Sequence, residues 1–185
     1  MTQILQKNEK VLREVTQIVP LDTIDSPEIK KVIHDMKEAL SSQTDGVALA
    51  APQIGVSKRI FIISGKVLDS TFDPQRELSD TQIHEDLVFI NPEITSQSKE
   101  KELMPEGCLS VRYTYGKVWR ASKTTVRAYD EHGRLFERGS GGIISQIFQH
   151  EIDHLNGILF IDKAADMEDI PPAVHDHTHN GDIIT

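Results

Sequence analysis

The chain has 185 residues, 38% of them hydrophobic and 26% charged, enough for one domain with a real core and not for two. A formal net charge of −9 argues against nucleic acid as the main ligand, because little here would neutralise phosphates, so no sequence-specific nucleic-acid contact is expected. No apolar run approaches the ~18 residues of a membrane span, the opening MTQILQKNEK lacks the apolar stretch of a secretory signal, and a single cysteine, Cys108, excludes an internal disulfide; together these predict a cytoplasmic protein with no membrane partner.

Ser26-Pro27 predicts a helix start, an N-cap followed by proline at the first helical position. Ile29, Val32, Ile33, Met36 and Leu40 then keep helical spacing, so one face packs inward. The pattern decays in SSQTDG, a loop, and the small, glycine-rich run GVALAAPQIG follows. Arg59 to Ser64, RIFIIS, reads as a short buried strand. Residues 65 to 86 are polar, with Asp73-Pro74 among them, and read as a long mobile surface loop. Leu87 to Asn91 reads as a strand stopped by Pro92. Thr124 to Tyr129 and Arg134 to Arg138 flank Asp130-Glu131-His132-Gly133, a hairpin signal. Gly141-Gly142 precede a helix to about Asn156, with Gly157 as left-handed cap. Strands and helices without regular alternation predict an α+β fold.

From Lys163 onward the composition changes. Pro171-Pro172 and the acids Asp166, Glu168, Asp169, Asp176 and Asp182 mark a flexible tail outside the core. The expected organisation is therefore one catalytic domain over 1–163 and a tail over 164–185. HDHTH in that tail, with His175, His177 and His179, reads as solvated, with a weak adventitious metal site as the alternative, and not as catalytic.

The second helix carries the chemistry. Ile143, Ile147, His150, Glu151 and His154 share one stripe at 3.6 residues per turn. Two histidines and a glutamate on a core-facing stripe are costly unless they are paired or bind a metal. Satisfied core histidines are the plain alternative, but His-Glu-x-x-His spacing is that of two metal ligands with a proton carrier between them. A third ligand is needed. The metzincin pattern would place it at Phe160, and a thermolysin-like site would take Glu168 from the tail. Both fail. Upstream, Cys108 in EGCLS, after the turn-like Pro105, is the candidate that remains. A lone cysteine is more often a small buried hydrophobe, yet one thiolate with two imidazoles leaves a fourth position for water, the layout of a catalytic site.

At these residues the chain resembles peptide deformylases. GVALAAPQIG, EGCLS and QHEIDHLNG are similar to that family's three motifs, in its order, and VLREV at residues 11 to 15 extends the likeness to roughly 4–163. The resemblance implies antiparallel sheets packed around the central helix that carries HExxH, plus an N-terminal helix. It implies a metal-dependent hydrolase that removes formate from the N-terminal formyl-methionine of nascent polypeptides. Cys108, His150 and His154 would bind the metal, ferrous iron first, with zinc, nickel or cobalt able to occupy the site. Glu151 would be general base and then acid. The Gln53 amide and the Leu109 backbone N–H would face the developing oxyanion. Gly46, Val47 and Ala48 would run beside the substrate backbone, and Ile143 and Ile147, with Val47, would line the methionine slot.

The chain departs from the family pattern in three places. Ala48 stands where a second glycine is usual, and Arg112-Tyr113-Thr114-Tyr115 follow Val111 where the family commonly has Val-Pro. The acidic tail differs from the basic C-terminal helix of some members, so a transient ribosome contact loses that support. A metallopeptidase and a non-catalytic metal-binding homologue are the competing readings; Glu151, Gln53 and Leu109 argue against the second.

Overall fold

The structure is a computed structural model that describes residues 2–68 and 85–170. Helix α1, Pro27–Ser41, starts as expected: the Ser26 side chain accepts from the Ile29 N–H and proline opens the first turn. Strands β1 (Ala48–Ala50), β2 (Ile60–Ile63), β3 (Leu87–Gln97), β4 (Lys101–Glu106), β5 (Thr114–Ala121), β6 (Lys123–Tyr129) and β7 (Leu135–Gly141) precede helix α2 (Gly142–Leu155), and β8 (Ala165–Asp169) follows it. They form a five-stranded sheet in the order β1-β2-β3-β6-β7 and a three-stranded sheet in the order β4-β5-β8, antiparallel throughout.

The wholly apolar IFII run within RIFIIS has a simple cause: the β1–β2 end of its sheet is covered on both faces. Leu49, Ile60 and Ile62 pack with Ile29, Ile33 and Met36 of α1. Ala50, Phe61 and Ile63 turn the other way, to Ile147, Phe148, Ile152 and Leu155 of α2. Phe61 stacks on Phe89 of β3 with ring centroids 4.4 Å apart. Such a strand loses the alternation of a half-exposed one. Helix α2 is central as expected, every residue from Ser145 to Leu155 being buried.

Three expectations change. Pro92 does not stop β3, which runs on to Gln97; the register shifts between Ile90 and Glu93, and Asn91 there takes φ of 52°. A bulge lets proline sit in a strand without costing a ladder hydrogen bond. Pro105 is not in a turn but in β4, an edge strand of the three-stranded sheet, where a missing N–H is also harmless. The chain does not leave the domain at Lys163 either. Ala165–Asp169 pairs with β5, the Ile170 N–H donates to the Tyr113 carbonyl at 2.7 Å, and Ile170 is buried in the α1 core. Five exposed, mostly polar positions hid this edge strand, whose stability comes from pairing and from the isoleucine after it. Of the expected surface loop, Gly65–Leu68 forms a 3-10 turn with Val67 buried, and 69–84 lie outside the described residues. So does the HDHTH run.

The hairpin turn at Asp130–Gly133 is as expected, closed by the Asp130 N–H on the Arg134 carbonyl, with Gly133 at φ of 74°. Gly157 is required twice over. Its φ is 73°, and a Cβ there would lie 2.7 Å from the Arg13 backbone.

Candidate metal centre

Cys108, His150 and His154 are brought together. Their ligand atoms lie within 4.8 Å of one another and all three side chains are buried. The histidines come from successive turns of α2; the cysteine comes from the turn after β4, where Val111 donates to its carbonyl at 2.9 Å and the Ser110 N–H reaches its Sγ at 3.4 Å. Sγ lies 3.2 Å from His154 Nε2.

His150 is braced. Its Nδ1 meets Glu106 Oε2 at 3.0 Å, which leaves Nε2 for the cluster. Arg120 grips Glu106 with two hydrogen bonds, at 2.6 and 2.9 Å, and reaches Asp153 at 2.7 Å; Lys163 closes on both Asp153 oxygens. Burial would raise the Glu106 carboxyl, but the hydrogen bonds and charges of His150 and Arg120 outweigh it and hold it down at about 2. It is a carboxylate, and its hydrogen bond orients the imidazole. Glu106, Arg120, Asp153 and Lys163 escaped the sequence reading. Two of them sat in plain sight inside EGCLS and HEIDH, two before one ligand and three after another; Arg120 has no local signal.

The remaining polar atoms test whether a cation suits the cluster. His150 Nε2, His154 Nδ1 and both Glu151 oxygens are buried with no hydrogen-bond partner among the described residues. Such atoms are costly to leave alone. Burial, and then the nearby His150, pushes the His154 imidazole well below its ordinary value, so it is neutral, the form that ligates. Burial, joined by the charges of Glu151 and Glu106, pushes the Cys108 thiol up. A divalent cation would reverse that last effect, since it favours the thiolate. A buried Cys/His/His set with this donor chemistry fits a divalent metal.

Of the other sequence-predicted residues, Gln53 and Leu109 lie beside the cysteine. Gln53 Oε1 accepts from the Ala50 N–H at 2.7 Å and its Nε2 reaches Cys108 Sγ at 3.7 Å, so the first and second motifs meet over the cysteine. Leu109 is fully buried, and a Cβ added at Gly46 would stand 3.1 Å from its Cδ1. Val47 and Ile147 share one apolar cluster, with Ile143 packed against it. β1, carrying Ala48, is an edge strand with one flank unpaired within its sheet. Ala48 is not among the residues with positive φ, so replacing the usual glycine strains nothing. Arg112, in the departing loop, pairs with Asp45 at 2.6 Å, just before Gly46.

Comparison with known proteins agrees with this geometry. The family model described as polypeptide deformylase matches residues 1–169. A peptide deformylase of Prochlorococcus marinus (strain NATL2A) is 35% identical over 175 residues, covering 94% of this chain and 78% of that one. The crystal structure of a peptide deformylase from Legionella pneumophila superposes with a TM-score of 0.74 at 36% identity, over 90% of this chain and 87% of that one. That of a deformylase from Synechococcus elongatus, in complex with actinonin, gives 0.73 at 31% identity, over 89% and 79%. Among the described residues no helix is long and apolar enough to cross a membrane. Family model, relatives and solved structures converge: the chain belongs to the polypeptide deformylases, enzymes that remove the formyl group from the N terminus of newly made polypeptides.

Proposed function

We propose that Glu151 carries the proton in this deformylation and that Cys108, His150 and His154 hold ferrous iron. One observation supports this above the rest: a glutamate with both oxygens buried and unpartnered, on the helix that bears two of the three ligands. Burial first, and then the charge of Glu106, raises its carboxyl well above the ordinary value. A carboxyl tuned upward holds a proton long enough to hand it on. Bound at the three ligands, the ion supplies Lewis acidity and a water acidic enough to be deprotonated near neutral pH.

Glu151 takes the proton of the attacking water and gives one to the departing amine. The Gln53 Nε2 and the Leu109 backbone N–H donate to the formyl oxygen as it gains charge; one such donor is worth about 2.7–4 kcal/mol. The substrate backbone lies along Gly46, Val47 and Ala48 as an added strand on the free edge of β1. Its methionine enters the apolar space of Val47, Ile143 and Ile147. The substrate is an N-formyl-methionyl nascent peptide, met in the cytoplasm, and any ribosome contact is transient and does not use the acidic tail.

Of the ions that Cys108, His150 and His154 would hold, ferrous iron is preferred to zinc, because it would accept a further ligand more readily. The test is to strip the protein, reload it with iron, nickel, cobalt or zinc, and measure formate release from a formyl-methionyl peptide with and without oxygen. Iron should be most active and should decay in air as Cys108 oxidises, with nickel and cobalt retaining most turnover. A zinc form equal to the iron form, or an iron form indifferent to oxygen, overturns the iron assignment. Cleavage of an internal peptide bond in place of formate release overturns the reaction.

A further inference from the structure

The second half of α2 separates two environments. At about 100° per residue, Ile147, His150, Glu151 and His154 face the metal cluster, and Gln149, Ile152, Asp153 and Asn156 fall on the opposite side. That opposite side walls a cavity of about 280 Å³ between the helix, the end of β3 and the strands β4 and β5. Its lining includes Arg120, only 3% exposed, with Asp153, and the exposed Lys101, Lys163 and Trp119.

Two features of the lining point to a ligand. The first is charge. Lys101, Arg120 and Lys163 oppose Asp153, and even with Glu106, which takes Arg120 from behind, cations outnumber carboxylates in a chain of net charge −9. Lys163 gives hydrogen bonds to Asp153 at 2.7 and 2.8 Å, yet an ammonium has three donors. Among the described residues Lys101 has no ion-pair partner. The second feature is Trp119, 62% exposed, opposite the half-exposed Leu103 on the neighbouring strand. Indoles are usually covered, and an open one beside cations offers a stacking face.

We propose that this cavity binds a small planar anion, an aromatic ring bearing a phosphate or a carboxylate. The ring lies on Trp119 and the anionic group meets Lys101 and the free donor of Lys163. Mononucleotides and aromatic carboxylates share this chemistry, and the cavity volume suits either. The site lies on the other side of α2 from the metal cluster, although Arg120, Asp153 and Lys163 of its lining also belong to the network that braces His150.

Trp119 is the single tryptophan of the chain, so its fluorescence reports occupancy directly. The full-length protein is titrated with adenosine monophosphate, benzoate, adenosine and inorganic phosphate. Adenosine monophosphate or benzoate should give a saturable change at millimolar concentration or below. Adenosine and phosphate, each carrying half the chemistry, should bind at least about tenfold more weakly. The stronger of the two aromatic anions identifies the source. Lys101→Gln should weaken that ligand about tenfold and leave formate release unchanged. No saturable change with either aromatic anion overturns the proposal. So does equal binding of adenosine or of phosphate alone, or an unaltered affinity in Lys101→Gln.

Discussion

Helix α2 meets the two sheets by different physics. Toward the five-stranded sheet it presents Ile147, Phe148, Ile152 and Leu155 to Phe61, Ile63, Phe89 and Val126, with no charge at the contact. Toward the three-stranded sheet it presents His150 and Asp153 to Glu106 of β4 and Arg120 of β5. An apolar contact asks for volume, and similar side chains replace one another at modest cost. A buried ionic network asks for every member, because removing one leaves another charged and unpaired. The metal cluster lies where the two meet: Cys108 follows β4, and Gln53, which reaches it, follows β1.

The largest effect should come from a substitution that disturbs neither contact. Glu151→Gln keeps the shape of a carboxyl and removes the proton carrier, so kcat should fall by about 10²–10⁴ with metal content and thermal stability nearly unchanged. Elemental analysis beside formate release checks this. Near-normal turnover in the metal-loaded variant would remove Glu151 from the chemistry, and loss of the metal would make it a ligand.

The comparison itself is tested by a pair of variants. Arg120→Met strands the Glu106 and Asp153 carboxylates and should cost about 3–5 kcal/mol of unfolding free energy. Leu155→Met keeps the volume of a fully buried side chain on the apolar side and should cost less than about 1.5 kcal/mol. Urea denaturation of both measures the difference. Similar losses would mean that α2 is held alike on both flanks.

The same contrast explains what the sequence made legible. The stripe of α1, the apolar β2 run and the hairpin turn are local patterns, and each lies where its pattern predicted; the motifs are local too, and their Cys108, His150 and His154 come together. His150 with Glu106, and Arg120 with Asp153, are 44 and 33 residues apart, and nothing in the intervening periodicity joins them. β8 was illegible for another reason. Its five residues are all exposed, so no burial pattern marks it, and its partner β5 is 55 residues earlier by the span of the Thr114–Asp169 pair.

That strand supplies the next prediction. Ending the chain at Lys163 removes β8 and the buried Ile170, and should cost about 2–5 kcal/mol from the lost side chain alone. Ending it after Ile170 retains every described contact and should leave both stability and kcat/KM within about twofold. Denaturation midpoints of the two truncations decide the point; equal stability would mean that the three-stranded sheet does not need its third strand.

The smallest effect should belong to an ion pair in water, the counterpart of the buried network. Arg13 binds Asp162, both side chains being roughly 40% exposed, and the same carboxylate accepts from the Leu159 N–H at 2.9 Å. Burial would raise this carboxyl, but the hydrogen bonds from Arg13 and Leu159, with the charge of Arg13, together lower it from the ordinary 3.8. A carboxyl held lower in the folded state adds stability above its unfolded value and loses it as the pH falls through the folded one. Asp162→Asn should therefore cost at most about 1 kcal/mol near neutrality, solvent screening having taken most of the Coulomb term. The gap between the two proteins should close as the pH drops below 3.8. Salt should shrink it too, which the buried Arg120 network should resist. A gap that persists unchanged into acid would assign the loss to the Leu159 hydrogen bond, which asparagine keeps only if its amide oxygen faces that N–H.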